Sequence, residues 1–360
     1  MAERTPGGRA THRRRDRLLR GLLSLLLAGA APAMALAQAP APAAAAAPTK
    51  AGPAHHGRCI LIDSDGDLDD YRAVAMLGQT GRVVAIVMTE GLARPRQAAG
   101  AMETALATLP FPVPIPVIPG GSGSDSADVR GPLDPRFPAW RDNAERLNGL
   151  LEAPVEGSLA PPVDLAAALR PHLKDCARIA LLVIGPWTSF LRYAAEVLEK
   201  AERIVAQGRP YPDELGGMPD GLNCIYDRAA CLTAFDLLAG RHLRGSRRLR
   251  TDWVDIPTGL EACGRAEPGV DSDGRRQFAF APTAEWAATL AEGGHVARGV
   301  ARMLQKNPDG WARTSLWDDL AALYLLRPDA FGQRGGHLEP CVPAAAVRRM
   351  LTTALEGQTP

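Results

Sequence analysis

The sequence predicts an α/β protein with a doubly wound, mainly parallel central sheet and helices on both faces. Two observations carry that expectation. Short β-rich apolar runs alternate with segments whose apolar residues recur at helical spacing. The first such run, Cys59-Ile60-Leu61-Ile62, ends directly in Asp63-Ser64-Asp65-Gly66-Asp67-Leu68-Asp69-Asp70. The carboxyl ends of strands are where open α/β sheets place their ligands.

The elements follow in order. After the first run, Ala73, Val74 and Leu77 share one face of a helix that starts at Asp69 and ends near Leu77. Val83–Met88 reads as the next strand. Ala98, Met102, Ala105 and Leu106 mark a second helix, and Val113–Ile118 a third strand. A helix over Val163–Leu173 leads to the β-rich run Ile179–Ile184, which a helix over Ser189–Ala201 follows. Later helices fall at Arg228–Ala239, Thr283–Ala291, Val296–Leu304 and Asp318–Leu325. No internal repeat is present. Gly120-Gly121-Ser122-Gly123-Ser124-Asp125, after the third strand, is either a ligand loop or a plain surface loop.

The chain has 360 residues, 46% hydrophobic and 22% charged, an ordinary balance for a soluble protein with a sizeable core. Residues 1–37 read as an export signal. Arg13-Arg14-Arg15-Asp16-Arg17 precedes an apolar run from Gly21 to Ala35, and Ala35-Leu36-Ala37 forms a small-x-small cleavage site. Arg14-Arg15-Asp16-Arg17-Leu18-Leu19 resembles a twin-arginine signal. The run is shorter than the roughly 20 residues a spanning helix needs, so no membrane association is expected after cleavage. Residues 38–57 are Ala/Pro-rich and read as a disordered linker. The folded unit is expected over 58–360, as a single domain, in the periplasm or outside the cell.

Segment 1–37 holds seven of the 41 basic and two of the 40 acidic residues, leaving 34 against 38 and a net charge of −4. That argues against a nucleic-acid partner. The basic cluster Arg241-His242-Leu243-Arg244-Gly245-Ser246-Arg247-Arg248 lacks interleaved aromatics and reads as a solvated face. Six cysteines in an exported chain allow disulfides, without zinc-type spacing. Cys59, inside the first strand, reads as a small core residue, and the pairing of the others is not legible.

Five carboxylates in eight residues repel one another, and a hard, oxygen-seeking cation is the simplest offset. Three frameworks compete. An EF-hand loop fails, because Leu68 and Val74 stand where it needs Gly and Glu, and a strand precedes it. Ile60-Leu61-Ile62-Asp63-Ser64-Asp65-Gly66 resembles the motif of haloacid-dehalogenase-like phosphatases, with Asp63 as nucleophile and Asp65 as general acid. Asp67 would then set a third carboxylate facing a phosphate.

The third framework accounts for more of the chain. Asp63-Ser64-Asp65-Gly66-Asp67-Leu68-Asp69-Asp70-Tyr71-Arg72-Ala73 resembles the opening motif of the nucleoside hydrolase family, with the family's Pro-Gly replaced by Gly-Asp. Leu181-Leu182-Val183-Ile184-Gly185-Pro186-Trp187-Thr188-Ser189 is similar to its second motif. Asn223-Cys224-Ile225-Tyr226-Asp227 is similar to its third. Trp317-Asp318-Asp319-Leu320-Ala321-Ala322-Leu323-Tyr324-Leu325-Leu326-Arg327-Pro328 matches the fourth except for the family's His. The four blocks keep the family's order over most of 58–330.

The resemblance implies a nucleoside hydrolase-like fold and hydrolysis of the N-glycosidic bond of a nucleoside or related N-riboside. It implies Ca²⁺ held by Asp65, Asp70, the Ile184 carbonyl and Asp318, with Asp65 as general base. It assigns Asp69 and Asn223 to the ribose hydroxyls. Asp63 is expected to brace the loop through hydrogen bonds. The family's homo-oligomers imply one here, although no segment marks an interface. Three positions depart from the pattern. Leu92 stands where the family has a ribose-contacting Asn, Gly221 where it has a Glu, with Asp220 as a nearby substitute, and Trp317 where it has the His. Trp317 can stack on a purine. These changes keep open a non-catalytic, metal- or ligand-binding alternative.

Overall fold

The computed structural model describes residues 57–123, 137–151, 162–208, 221–244, 249–257, 280–306 and 314–358, with a few short pieces between them. The export signal, nearly all of the 38–57 linker and Asp220 lie outside the described residues, as do the side chains of the 241–248 cluster. The strands are β1 (Arg58–Ser64), β2 (Val83–Met88), β3 (Val117–Pro119), β4 (Arg178–Val183), β5 (Ala201–Gln207), β6 (Arg250–Val254), β7 (Glu261–Ala262), β8 (Arg265–Ala266), β9 (Phe331–Arg334) and β10 (His337–Pro340). The helices are α1 (Leu68–Gly78), α2 (Pro95–Ala107), α3 (Phe137–Leu151), α4 (Leu165–Leu173), α5 (Thr188–Leu198), α6 (Leu222–Tyr226), α7 (Arg228–Arg244), α8 (Ala284–Glu292), α9 (His295–Lys306), α10 (Trp317–Leu326) and α11 (Ala344–Leu355).

Eight strands form one sheet in the order β3-β2-β1-β4-β5-β6-β10-β9, and β7 and β8 pair separately. All neighbours in the large sheet are parallel except the β9–β10 edge pair. The order runs outward in both directions from β1 and β4, so the sheet's topological switch point lies between them. A crevice opens at such a point, outside the carboxyl ends of the strands. The acidic stretch leaves β1 at that place.

Side-chain parity along β1 sets up the site. Successive residues of a strand face opposite sides. Ile60 and Ile62 join the core under α1, α2 and α8–α11, while Cys59 and Leu61 join the core under α4, α5 and α7. Continuing the alternation sends Asp63 toward α5 and Ser64 toward α1. Burial on both faces explains why β1, β2 and β4 read as unbroken apolar runs.

Several expectations needed correction. The third strand is Val117–Pro119 rather than Val113–Ile118, because Pro114 and Pro116 lack the N–H a ladder needs. The helix after β4 stops at Leu198, and Ala201 already belongs to β5. Strands β5, β6, β9 and β10 and helices α3 and α11 had not been anticipated. Cys59 is buried, as expected of a core residue, but it is disulfide-bonded to Cys176, which ties β1 to the segment entering β4. Cys224 pairs with Cys231 across the α6–α7 junction, and Cys341 is also disulfide-bonded. Such bonds are compatible with an exported protein. No described helix is long and apolar enough to cross a membrane.

Candidate metal centre and active site

Gly66, at φ +77°, turns the chain from β1 into α1, a conformation that favours glycine. A Cβ there would also lie 2.7 Å from Ala98. Every residue of α1 is buried, including Asp69 and Asp70. Asp70 organises the turn. Its Oδ1 accepts from the Ser64 hydroxyl and, at 3.1 Å, from the Asp65 N–H, and its Oδ2 accepts from the Asp67 N–H at 2.9 Å. A carboxylate accepting at the first turn of a helix also meets the positive end of the helix dipole.

Helix α10 brings the late acidic pair to the same place. Arg72 of α1 and Asp319 of α10 form a buried ion pair, with Nη2–Oδ2 at 2.7 Å and Nε to the two carboxylate oxygens at 3.0 and 3.1 Å. Nη2 also donates to the Ser315 carbonyl at 3.1 Å. This clamp joins residues 247 apart in sequence and sets Asp318 against α1. The Asp318 N–H lies 3.4 Å from Asp69 Oδ2, and oxygens of Asp69, Asp70 and Asp318 lie within 4.8 Å of one another.

Asp65 stands beside this trio. Its Oδ2 accepts the Leu92 N–H at 2.9 Å, and its side chain packs so closely on Gly91 that a Cβ there would lie 2.0 Å from that oxygen. Burial pushes the Asp65, Asp69 and Asp318 carboxyls well above the usual carboxylate range, and their neighbours' negative charge adds to this. Burial raises Asp70 too, against its hydrogen bonds to Ser64, Asp318 and backbone N–H groups. Arg72 acts on Asp69 from nearby, but its hydrogen bonds go to Asp319 and backbone carbonyls. An all-oxygen donor set, buried and electrostatically unfavourable, fits a hard divalent cation.

The remaining sequence candidates fall nearby. Ile184 follows β4, and its N–H bonds to the Asp63 carbonyl at 2.8 Å. Its own carbonyl accepts from Asn223 Nδ2 at 3.1 Å, and the same amide nitrogen reaches Gln207 at 3.1 Å. Asn223 sits on α6, which Gly221 caps. Trp317 begins α10, half-buried against the core. Leu92 buries its side chain in the core and contributes its backbone N–H instead. Asp63 is fully buried, bonded by the Thr89 hydroxyl and, at 2.7 Å, by the Tyr193 hydroxyl. It braces the loop as expected. Its side chain bonds to Tyr193 of α5 and to Thr89 and does not join the Asp69, Asp70 and Asp318 group, a placement that suits a structural role better than the nucleophile of the phosphatase alternative.

Burial raises Asp63 from 3.8 to about 7 and Asp67 likewise to about 7. A folded-state pKa above the unfolded one means that these carboxyls favour the fold fully only below about pH 4. That contribution is lost as pH rises through about 7. In chelator-containing buffer the melting temperature is therefore expected to be lower at pH 7.5 than at pH 5. An equal or higher value at pH 7.5 would contradict the electrostatic picture.

Sequence reasoning missed the Arg72–Asp319 clamp and the Leu92 N–H. The first had a signal, since an Arg set among the apolar residues of a buried helix needs a buried anion. The second had none, because a backbone group carries no residue identity.

No protein-family model matches the chain, and no curated protein matches it in sequence. Solved structures do resemble it. A purine-preferring ribonucleoside hydrolase from Gardnerella vaginalis superposes with a TM-score of 0.56 at 13% identity, covering 83% of this chain and 98% of that one. An inosine-uridine preferring nucleoside hydrolase from Bacillus anthracis gives 0.52 at 14% identity, covering 83% and 99%. The type III effector protein XopQ, complexed with adenosine diphosphate ribose, gives 0.52 at 16% identity, covering 83% and 93%. At such identities the likeness is one of fold, and the chain has the nucleoside hydrolase-like fold.

Proposed function

We propose that this protein is an exported N-glycosyl hydrolase that uses Ca²⁺ to cleave a nucleoside or related N-riboside. The observation that carries the reading is the meeting of Asp65, Asp69 and Asp70 with Asp318 at the sheet's switch point. The fold, which is that of proteins titled nucleoside hydrolases, supports it, as does the order of the four sequence blocks.

Asp65, Asp70, Asp318 and the Ile184 carbonyl would hold the ion. When bound, the ion supplies Lewis acidity, lowering the pKa of a water and engaging a sugar diol. Asp65 takes the proton from the attacking water as general base. The Leu92 N–H holds one oxygen of Asp65, which leaves the other for that task. Asp69 and Asn223 receive the ribose hydroxyls, and Trp317 offers a ring face to the base. The carboxylates around the anomeric carbon favour the oxocarbenium character that develops there. The disulfides and the sequence of residues 1–37 support export.

The test incubates purified protein with purine and pyrimidine nucleosides, with and without chelator. Release of free base that chelator abolishes and Ca²⁺ restores is the expected result. Cation binding with no base released from any nucleoside would leave the non-catalytic alternative. Asp318→Ala is expected to weaken Ca²⁺ binding, read by calorimetry, by at least the roughly 10- to 100-fold that loss of an outer-shell partner costs. Unchanged affinity would remove Asp318 from the ligand set.

A further inference from the structure

Arg141 on α3 reaches over the loop that follows β2. Its Nη2 donates to the Gly91 carbonyl at 2.6 Å and to the Tyr226 hydroxyl at 2.8 Å, and lies 3.5 Å from Glu90. Tyr226 in turn donates to Glu90 at 2.9 Å. The guanidinium lies 5.0 Å from the centre of the Phe137 ring and 5.6 Å from that of Tyr226, so its orientation is fixed on several sides.

The Gly91 carbonyl and the Leu92 N–H belong to one peptide group. That group is planar and stiff, so holding its oxygen also aims its hydrogen. The hydrogen points at Asp65 Oδ2, 2.9 Å from the Leu92 nitrogen. One amide therefore carries a cation on its oxygen and the Asp65 carboxylate on its N–H. Hydrogen bonds in such a chain polarise one another, and the guanidinium makes the amide a stronger donor. Gly91 lets the two sides close, since any side chain there would occupy the place of Asp65 Oδ2.

We propose that Arg141 is a positioning residue that sets the orientation of Asp65 through the Gly91–Leu92 peptide. The proposal rests on the reading of Asp65 as general base. Arg141 acts on the carboxylate from the side of the peptide, so its loss lowers kcat and leaves KM in place. A residue that merely pinned α3 to the core would change stability without that split.

The test compares wild type, Arg141→Met and Arg141→Lys. Met covers the same aromatic rings without the charge, and Lys returns a cation to the Gly91 carbonyl. The first readout is the Leu92 amide resonance and its hydrogen exchange, which need no turnover. In Arg141→Met the amide proton is expected to move upfield and to exchange faster by about 10-fold or more, the scale of one hydrogen bond to a charged group. The second readout is nucleoside hydrolysis, with kcat expected to fall about 10-fold or more and KM to stay within about twofold. Arg141→Lys is expected to recover most of both. Should Arg141→Met unfold, Arg141→Gln, which keeps a neutral donor, is expected to shift the amide in the same direction by less. An unmoved Leu92 amide overturns the proposal, and so does a raised KM at unchanged kcat, which would make Arg141 a substrate contact. If wild type releases no base, the hydrolase reading fails separately and the Leu92 amide alone decides this one.

Discussion

Asp65→Asn is expected to fold normally and to lose at least about 10²-fold in turnover, the usual scale for a general base. The geometry separates the two effects. The amide oxygen of Asn can still accept the Leu92 N–H that Asp65 Oδ2 accepts at 2.9 Å. The amide cannot take a proton from water. Removing one of several crowded carboxylates also relieves repulsion, so the melting temperature in chelator is expected to rise or hold. Initial rates on a cleaved nucleoside, with circular dichroism as the control, decide the matter. Turnover within a few-fold of wild type would take Asp65 out of the mechanism.

Arg72→Met is expected to cost about 3–5 kcal/mol of stability, the range for breaking a buried ion pair from one side. The variant strands Asp319, whose side chain is 2% exposed and whose carboxyl burial already raises against the pull of Arg72. The double variant Arg72→Met with Asp319→Leu is expected to recover much of the loss, because an apolar pair of similar volume replaces the ions. Urea unfolding of wild type, Arg72→Met, Asp319→Leu and the double variant measures the cycle. Calcium affinity is a second readout, since Asp318 adjoins Asp319. A single variant as stable as wild type would mean that the clamp does not hold α10 against α1.

The acidic centre was legible because its parts announce themselves. Carboxylates that follow a buried run, and a second acidic pair opening an apolar helix, are costly unless they share a purpose. The helix starts near Asp69 and Asp318 and the strands Val83–Met88 and Ile179–Ile184 were visible through burial on both faces. What escaped has physical reasons. Strand β5 escaped because it opens on Ala201-Glu202-Arg203, which shows no apolar alternation, and its first residue, Ala201, fell at the end of the helix expected before it. The β9–β10 pair is short and mostly polar on β9. Arg72 and Asp319 each stood in a recognised block, but their pairing spans the chain. The Cys59–Cys176 bond likewise depends on β1 lying beside β4, which spacing alone does not reveal.

The clamp between α1 and α10 also separates two groups of residues within one crevice. Asp69, Asp70 and Asp318 sit on α1 and α10, which pack together. Glu90–Leu92 and Asn223 arrive on the loop after β2 and on α6, outside that clamp. Gly91 and Leu92 nonetheless seat Asp65, so exchanging the short 90–93 segment should disturb that carboxylate while Asp69, Asp70 and Asp318 keep their places. A scaffold so divided can be altered around Asp65 while its paired helices stay locked.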